Sequence, residues 1–453
     1  MEVRVEDVSK KPMFTRKMIV ALIVPLILEQ ILNVFVGMAD SLMVSSVGEA
    51  AVSGISLVDS VNFLLIQLFA ALATGGAVIC SQYIGKGEPD SAGKAAKQLL
   101  YFSVLFAAIL GVIAIVFNRP LLQLIFGQVE DSVMQNAVTY FWLSALSYPF
   151  LALYNAGAAL FRSMNKSRVT LYISLMVNII NIIGNAILIY GFKMGVAGAA
   201  TATLFARAAG GIVVFTLLCK PKQTIHISSP MQYRPDGRML GRILKIGIPT
   251  GMENSLFQLG KLMLSHLVAT FGTAAISANA ISNTLVSLSN IPGSAIGLGL
   301  VTIVGQCMGA RETKQAVQYT KKMLLLTFVL MNTMNVIMYV GAGWLAGLYN
   351  LSEEATSTAV ELIRSFALFA AVFWPLSFTI PNALRAAGDA KFTMVTSVSS
   401  MFAFRVGLAY LLAYTTDIGV MCVWLGMYAD WIVRGLVYVT RFLRGKWKNI
   451  RLV

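Results

Sequence analysis

Glu29, Asn33, Gly37 and Asp40 stand at i, i+4, i+8 and i+11 in a run of otherwise apolar residues. At 100° per residue, eleven steps of an α-helix return almost to the same face, so the four make one polar stripe with its carboxylates roughly 16 Å apart. Ser174, Asn178, Asn181 and Asn185 repeat the pattern at i, i+4, i+7 and i+11. Two chemistries suit a carboxylate among amides and hydroxyls. It can take up and release a proton, and it belongs to the hard-oxygen set that binds a cation such as Na⁺. Against these stands a plain structural role, Asp40 closing a polar network inside a helix bundle. The cost of an acid within an apolar helix weighs toward coupling.

Other ionisable residues in apolar runs are few. Glu253 lies two turns from Lys261 on roughly the same side of one helix, an arrangement open to function or to a structural neutral pair. Asp430 and Arg434 are i, i+4, with Arg405 in the preceding run, and read as structural pairing. Cys80, Cys219, Cys307 and Cys422 are too far apart for a zinc site or redox pair. No GxxxxGK[ST] phosphate loop is present, so no ATP is expected as energy source. DDxxD, HExxH and paired-His arrangements are also missing, which argues against an enzyme. No catalytic residue is expected, and no cofactor beyond Na⁺ or H⁺ as coupling ion.

The elements that position these groups must cross a bilayer. Of 453 residues, 57% are hydrophobic and 12% charged, half the charge of a soluble domain. Runs of about 20 apolar residues recur, the length a helix needs to span a membrane. Spans are expected over 18–40, 52–78, 99–117, 137–161, 169–191, 194–219, 243–270, 278–306, 323–348, 360–384, 392–414 and 418–440. The first is read as a span and not as a cleaved signal peptide, since no A-x-A-like site follows it. With the amino terminus inside, 28 of the 35 Lys and Arg residues fall on the inner side; Arg119 and Lys193 alone fall outside. That bias places both termini in the cytoplasm of a multi-pass protein. The net charge of +15 is then a topology signal, and no nucleic-acid partner is expected.

Shifted by 224 residues, the sequence partly matches itself. Pro25 meets Pro249, Glu29 meets Glu253, GEAAVSGISL at 48–57 meets GTAAISANAI at 272–281, and SQYIGKGE meets GQCMGARE. With one residue of slippage, Arg162 meets Arg385. Asp40 has no acidic counterpart, since position 264 is Leu. An even number of helices per repeat gives parallel halves related by an axis along the membrane normal. The fold is therefore expected to be all-α and integral to the membrane, with twelve transmembrane helices in two parallel six-helix lobes, 1–219 and 243–453. A basic cytoplasmic linker, 220–242, joins them.

These motifs resemble the multidrug and toxic compound extrusion (MATE) family, in its prokaryotic DinF-like or NorM-like form, within the MOP flippase superfamily. MADSLMVSSVGEAAVSG looks like the Asp signature closing the family's first span, SQYIGKGE and GQCMGARE like its paired Gln-x-x-Gly loops. LRAAGDAKF, MGVAGAATAT and KIGIPTGME are similar to its later landmarks. The resemblance covers about residues 14–450. It implies a V-shaped cleft between the lobes and export of organic, often cationic and amphipathic, compounds from the cell by a protein acting as a monomer, driven by inward Na⁺ or H⁺ flow. By the same resemblance, Asp40, Asn181 and Thr203 match a coupling site, while Asn185 stands where DinF-like members carry an Asp, lowering the site's charge. Glu253 matches an acid that some members use for cations.

Three alternatives stay open. A lipid-linked oligosaccharide flippase of the same superfamily often carries more basic residues in its central cavity, whereas the stripes here are acidic and amide-rich. A membrane-embedded enzyme lacks motif support, and a channel would not move substrate against a gradient.

Overall fold

The computed structural model describes residues 12–228, 232–349 and 351–453; Arg4, Lys10 and Lys11 of the amino-terminal basic segment lie outside them. All elements among the described residues are helical. Twelve long helices carry the chain: α1 Arg16–Ser45, α2 Glu49–Lys86, α3 Pro89–Val116, α4 Asp131–Ser163, α5 Ser167–Gly191, α6 Gly195–Leu218, α7 Gly237–Ala269, α8 Thr273–Gly309, α9 Thr313–Gly347, α10 Glu353–Ala387, α11 Ala390–Thr415 and α12 Met421–Arg444. Eleven are apolar enough to cross a membrane on composition alone. The other is α7, diluted by Glu253, Asn254, Gln258, Lys261 and His266. A short helix, Asn118–Phe126, follows α3.

Local chemistry sets the ends. Thr15 accepts from the Met18 amide at the start of α1, and Ser352 accepts from Ala355 ahead of α10. Asp236 accepts from the Arg238 and Met239 amides, so α7 begins inside the expected linker and six residues before the expected span. Prolines lie within α1, α4, α7, α8 and α10, and α10 breaks at Thr379 between Pro375 and Pro381. Large apolar side chains such as Leu42, Val340, Trp344 and Leu436 are exposed, the inverse of a water-soluble surface and suited to lipid.

The helices form two six-helix lobes, α1–α6 and α7–α12. One apolar core, with Leu22, Ile79, Leu160, Ile243, Ile303 and Leu384, is built by both lobes at the end carrying the basic loops. Towards the other end the core divides. A cluster of Val44, Phe69, Phe141 and Ala200 belongs to the first lobe, and one of Leu264, Phe366, Trp424 and Tyr428 to the second. Shared packing at the basic end and separate packing at the other make a V.

The seam at the basic end is two-fold. Gln82 donates from Nε2 to the Ala386 carbonyl at 2.8 Å, and Gln306 donates from Nε2 to the Ser163 carbonyl at 2.7 Å. Each glutamine thus crosses to the opposite lobe. Beside them α2 and α8 touch backbone to backbone: a Cβ on Gly85 would lie 1.9 Å from the Gln306 oxygen, and one on Gly309 1.8 Å from the Gln82 oxygen. Only glycine fits at either place.

Candidate functional site

The two polar stripes face each other along α1 and α5. Thr170 donates to Glu29 at 2.8 Å, Ser174 to Asn33 at 3.4 Å and Asn185 to Asp40 at 2.9 Å. The first two rungs share one register, and Asp40 opposite Asn181 keeps it, while Asn185 reaches Asp40 from one turn further along α5. The Asn181 amide satisfies both its neighbours in one orientation. Its nitrogen then donates to the Asp40 oxygens at 2.7 and 3.1 Å, and its oxygen accepts from Thr203 at 3.1 Å. Asn178 reaches Ser174 at 3.5 Å. Asp40, Asn181, Asn185 and Thr203 therefore form one cluster. The buried Asn185 Oδ1 has no hydrogen-bond partner there, a spare acceptor that fits a cation. Asp40, Asn178, Asn181 and Thr203 line a cavity of about 380 Å³ in the first lobe.

That cavity holds charges not anticipated from the stripes. Asp59 of α2 and Arg207 of α6 lie in its wall with Tyr140. Asp59 is exposed and lines the cavity. Arg207 donates to Ser147 at 2.8 Å, Tyr148 donates to Asn62 at 2.8 Å, and Asn62 reaches Asp59 at 3.5 Å. The signal for Asp59 was its position as an acid within an apolar run.

Glu29 and Glu253 occupy matching places nearer the basic end. The Arg162 guanidinium is 3.8 Å from Glu29. Arg385 donates to Glu253 at 2.7 Å, and Ser397 donates to the same oxygen at 2.6 Å. The sequence leaves Glu253 open between a functional role and a neutral pair with Lys261; its ion-pair partner in the structure is Arg385. Eight helical steps turn Lys261 about 80° away and carry it about 12 Å along α7, whereas Arg385 enters from α10. Breaking a buried pair strands a charge at about 3–5 kcal/mol. Arg385→Met should therefore lower the unfolding temperature in detergent, and adding Glu253→Gln should recover most of the loss. An unchanged unfolding temperature in the single variant would rule out a structural role for the pair.

The second lobe has a cavity of about 330 Å³, lined by Glu253, Asn254, Phe257, Trp374, Arg385 and Arg434 among others. Lys261, Arg405 and Arg434 surround the Phe257 ring at 5.4, 5.1 and 5.6 Å from its centroid. Asp430 faces Arg405 at 3.7 Å and Arg434 at 3.6 Å, the expected pairing across and along helices. The acidic, amide-rich character of the stripes thus stops at the first lobe.

Comparison with known proteins decides the lineage. The MatE family profile matches residues 25–187 and again 249–411, two segments displaced by the 224 residues at which the sequence aligns with itself. The chain belongs to the MatE family. The uncharacterized transporter YisQ of Bacillus subtilis is 28% identical, over 97% of this chain and 96% of its own length. The probable multidrug resistance protein NorM of Thermotoga maritima is 25% identical, over 96% and 93%. A crystal structure of MATE in complex with MaL6 superposes with a TM-score of 0.88 at 19% identity, covering 94% of this chain and 96% of that one. MatE proteins are membrane transporters for small compounds and not enzymes, and the repeated profile accounts for the paired lobes.

Proposed function

We propose that this MatE protein is a secondary antiporter that exports amphipathic organic compounds, including cationic ones, across the cytoplasmic membrane. Inward flow of Na⁺ or H⁺ drives it, and both termini face the cytoplasm. The observation that carries the reading is the cluster of Asp40, Asn181, Asn185 and Thr203 in the first lobe. It joins one carboxylate to amide and hydroxyl oxygens beside a cavity of that lobe. As the transported ion, Na⁺ would take the Asp40 carboxylate, the spare Asn185 oxygen and the Thr203 hydroxyl; a proton would take Asp40 alone. Asp59, exposed in the wall of that cavity, offers a counter-charge to a substrate ammonium. The closed seam at the basic end, against separate cores at the other, suits one state of an alternating-access cycle.

The test is uphill export of a cationic dye by the purified protein in proteoliposomes, with a Na⁺ gradient or a pH gradient imposed separately. Export under one gradient alone is the expected result and names the ion. Downhill flux that neither gradient accelerates would refute antiport.

A further inference from the structure

We propose that the cavity of the second lobe is a subsite for an organic anion, and that the transported compounds include aromatic carboxylates. This rests on the transport reading above and adds the substrate's charge. The two lobes share a fold but not a polarity. At the 224-residue shift, Asp40 becomes Leu264, Asn181 becomes Arg405 and Gly37 becomes Lys261. Gly210 becomes Arg434. Where the first lobe gathers acid and amides, the second gathers cations.

Those cations are undercompensated. Glu253 is matched by Arg385 at 2.7 Å. Around Phe257 the remaining groups are Lys261, Arg405 and Arg434, with Asp430 as the single facing acid among the described residues. Two positive charges are left over around that ring; Arg434 stands in the cavity wall with the matched Glu253 and Arg385, and Lys261 and Arg405 lie beside it on Phe257. Asp430 is itself held by Ser400 at 2.7 Å, and its contacts to the arginines are ion pairs longer than hydrogen bonds. Arg434 is 2% exposed, lines the cavity, and leaves Nε and Nη2 without a hydrogen-bond partner. Arg385 leaves Nε without one. Unpaired guanidinium donors inside a membrane bundle are costly until an acceptor reaches them, and a carboxylate meets an arginine fork with two oxygens.

The rest of the wall selects the body of the ligand. Phe257, Trp374 and Phe378 line the same space, with Phe378 stacked on Trp374 at 4.8 Å and under Arg434 at 4.3 Å. Aromatic walls and about 330 Å³ of space suit one fused ring system bearing an acid group. Asn254 and Asn382 add amides to the lining. A phosphate-bearing lipid shares the anionic chemistry but brings a larger head group, so the small aromatic acid is the class favoured.

The test is calorimetric titration of the full chain in phosphatidylcholine nanodiscs with 2-naphthoate and with the cationic isostere 2-naphthylmethylammonium. The expected result is naphthoate binding at least about tenfold tighter, with Arg434→Gln and Lys261→Gln each lowering its affinity about tenfold. Lys391→Gln, an exposed cation at the basic end, controls for net charge and should leave affinity unchanged. Lys261 is exposed, so Lys261→Gln decides if Arg434→Gln fails to fold. Equal or tighter binding of the ammonium overturns the proposal. So do unchanged naphthoate affinity in both variants and binding of a polyprenyl phosphate with none of naphthoate. Dye antiport without naphthoate preference would sink the anion subsite and leave the antiporter. Naphthoate binding without gradient-driven transport would do the reverse.

Discussion

Asp40→Asn is expected to abolish gradient-driven export, by about a hundredfold or more, in a protein that still folds. The side chains match in shape, and Asn181 and Asn185 can turn their amides to satisfy a third amide. The fold therefore loses little. Coupling loses its basis, because an ion shifts the balance between two conformations only through a difference in its affinity for them. A neutral amide takes up no proton, and it takes from a Na⁺ site the one carboxylate that, among the described residues, lies within hydrogen-bond reach of Asn185. Losing a charged hydrogen-bonding group costs about 1.5–3 kcal/mol, and a hundredfold effect corresponds to about 2.7 kcal/mol. The measurement pairs dye export in proteoliposomes with thermal unfolding of the same preparation. Normal export by a folded Asp40→Asn protein would remove Asp40 from the coupling site.

The site was legible in part for a geometric reason. Spacing along one helix reports which side chains share a face, so Glu29, Asn33, Gly37 and Asp40 declared a stripe, as did Ser174, Asn178, Asn181 and Asn185. Two such stripes in one lobe have few places to go except against each other. Spacing does not report which helix stands opposite. Glu253 and Lys261 share a helix, but Arg385 comes from 132 positions away and arrives at hydrogen-bonding distance. Asp59 has only Ser56 and Asn62 three residues to either side, too short a run to declare a stripe, so its charge was the stronger mark. The cage of cations about Phe257 draws on α7, α11 and α12, and Arg405 sits there in the π-helical stretch Met401–Gly407, which a regular period does not foresee. The fold was more open to reading. Charge asymmetry and a 224-residue repeat are long-range signals in their own right, and the matching Gln-x-x-Gly motifs mark the place where the halves cross.

That crossing carries the second large expectation. Gly85→Ala with Gly309→Ala should open the basic end and slow export severely. Each new methyl would stand 1.8 to 1.9 Å from a carbonyl oxygen of the opposite helix, so α2 and α8 must part by more than an ångström. The Gln82 and Gln306 bonds to Ala386 and Ser163 lie at the same crossing and would lengthen with it. Overpacking costs about 1–3 kcal/mol per site. Two sites reach several kcal/mol, and about 5.5 kcal/mol inverts a 99:1 population. The strain exists only where the helices touch, so the form with a closed basic end is penalised and a form open there is not. Spin labels at Arg168→Cys and Lys391→Cys, exposed residues of opposite lobes at this end, would read the change in a Cys219→Ser background. The expected record is a shift to longer distances together with export reduced at least about tenfold. An unchanged distance distribution would mean that the crossing does not hold the basic end shut, and that the glycines answer to some other demand of the fold.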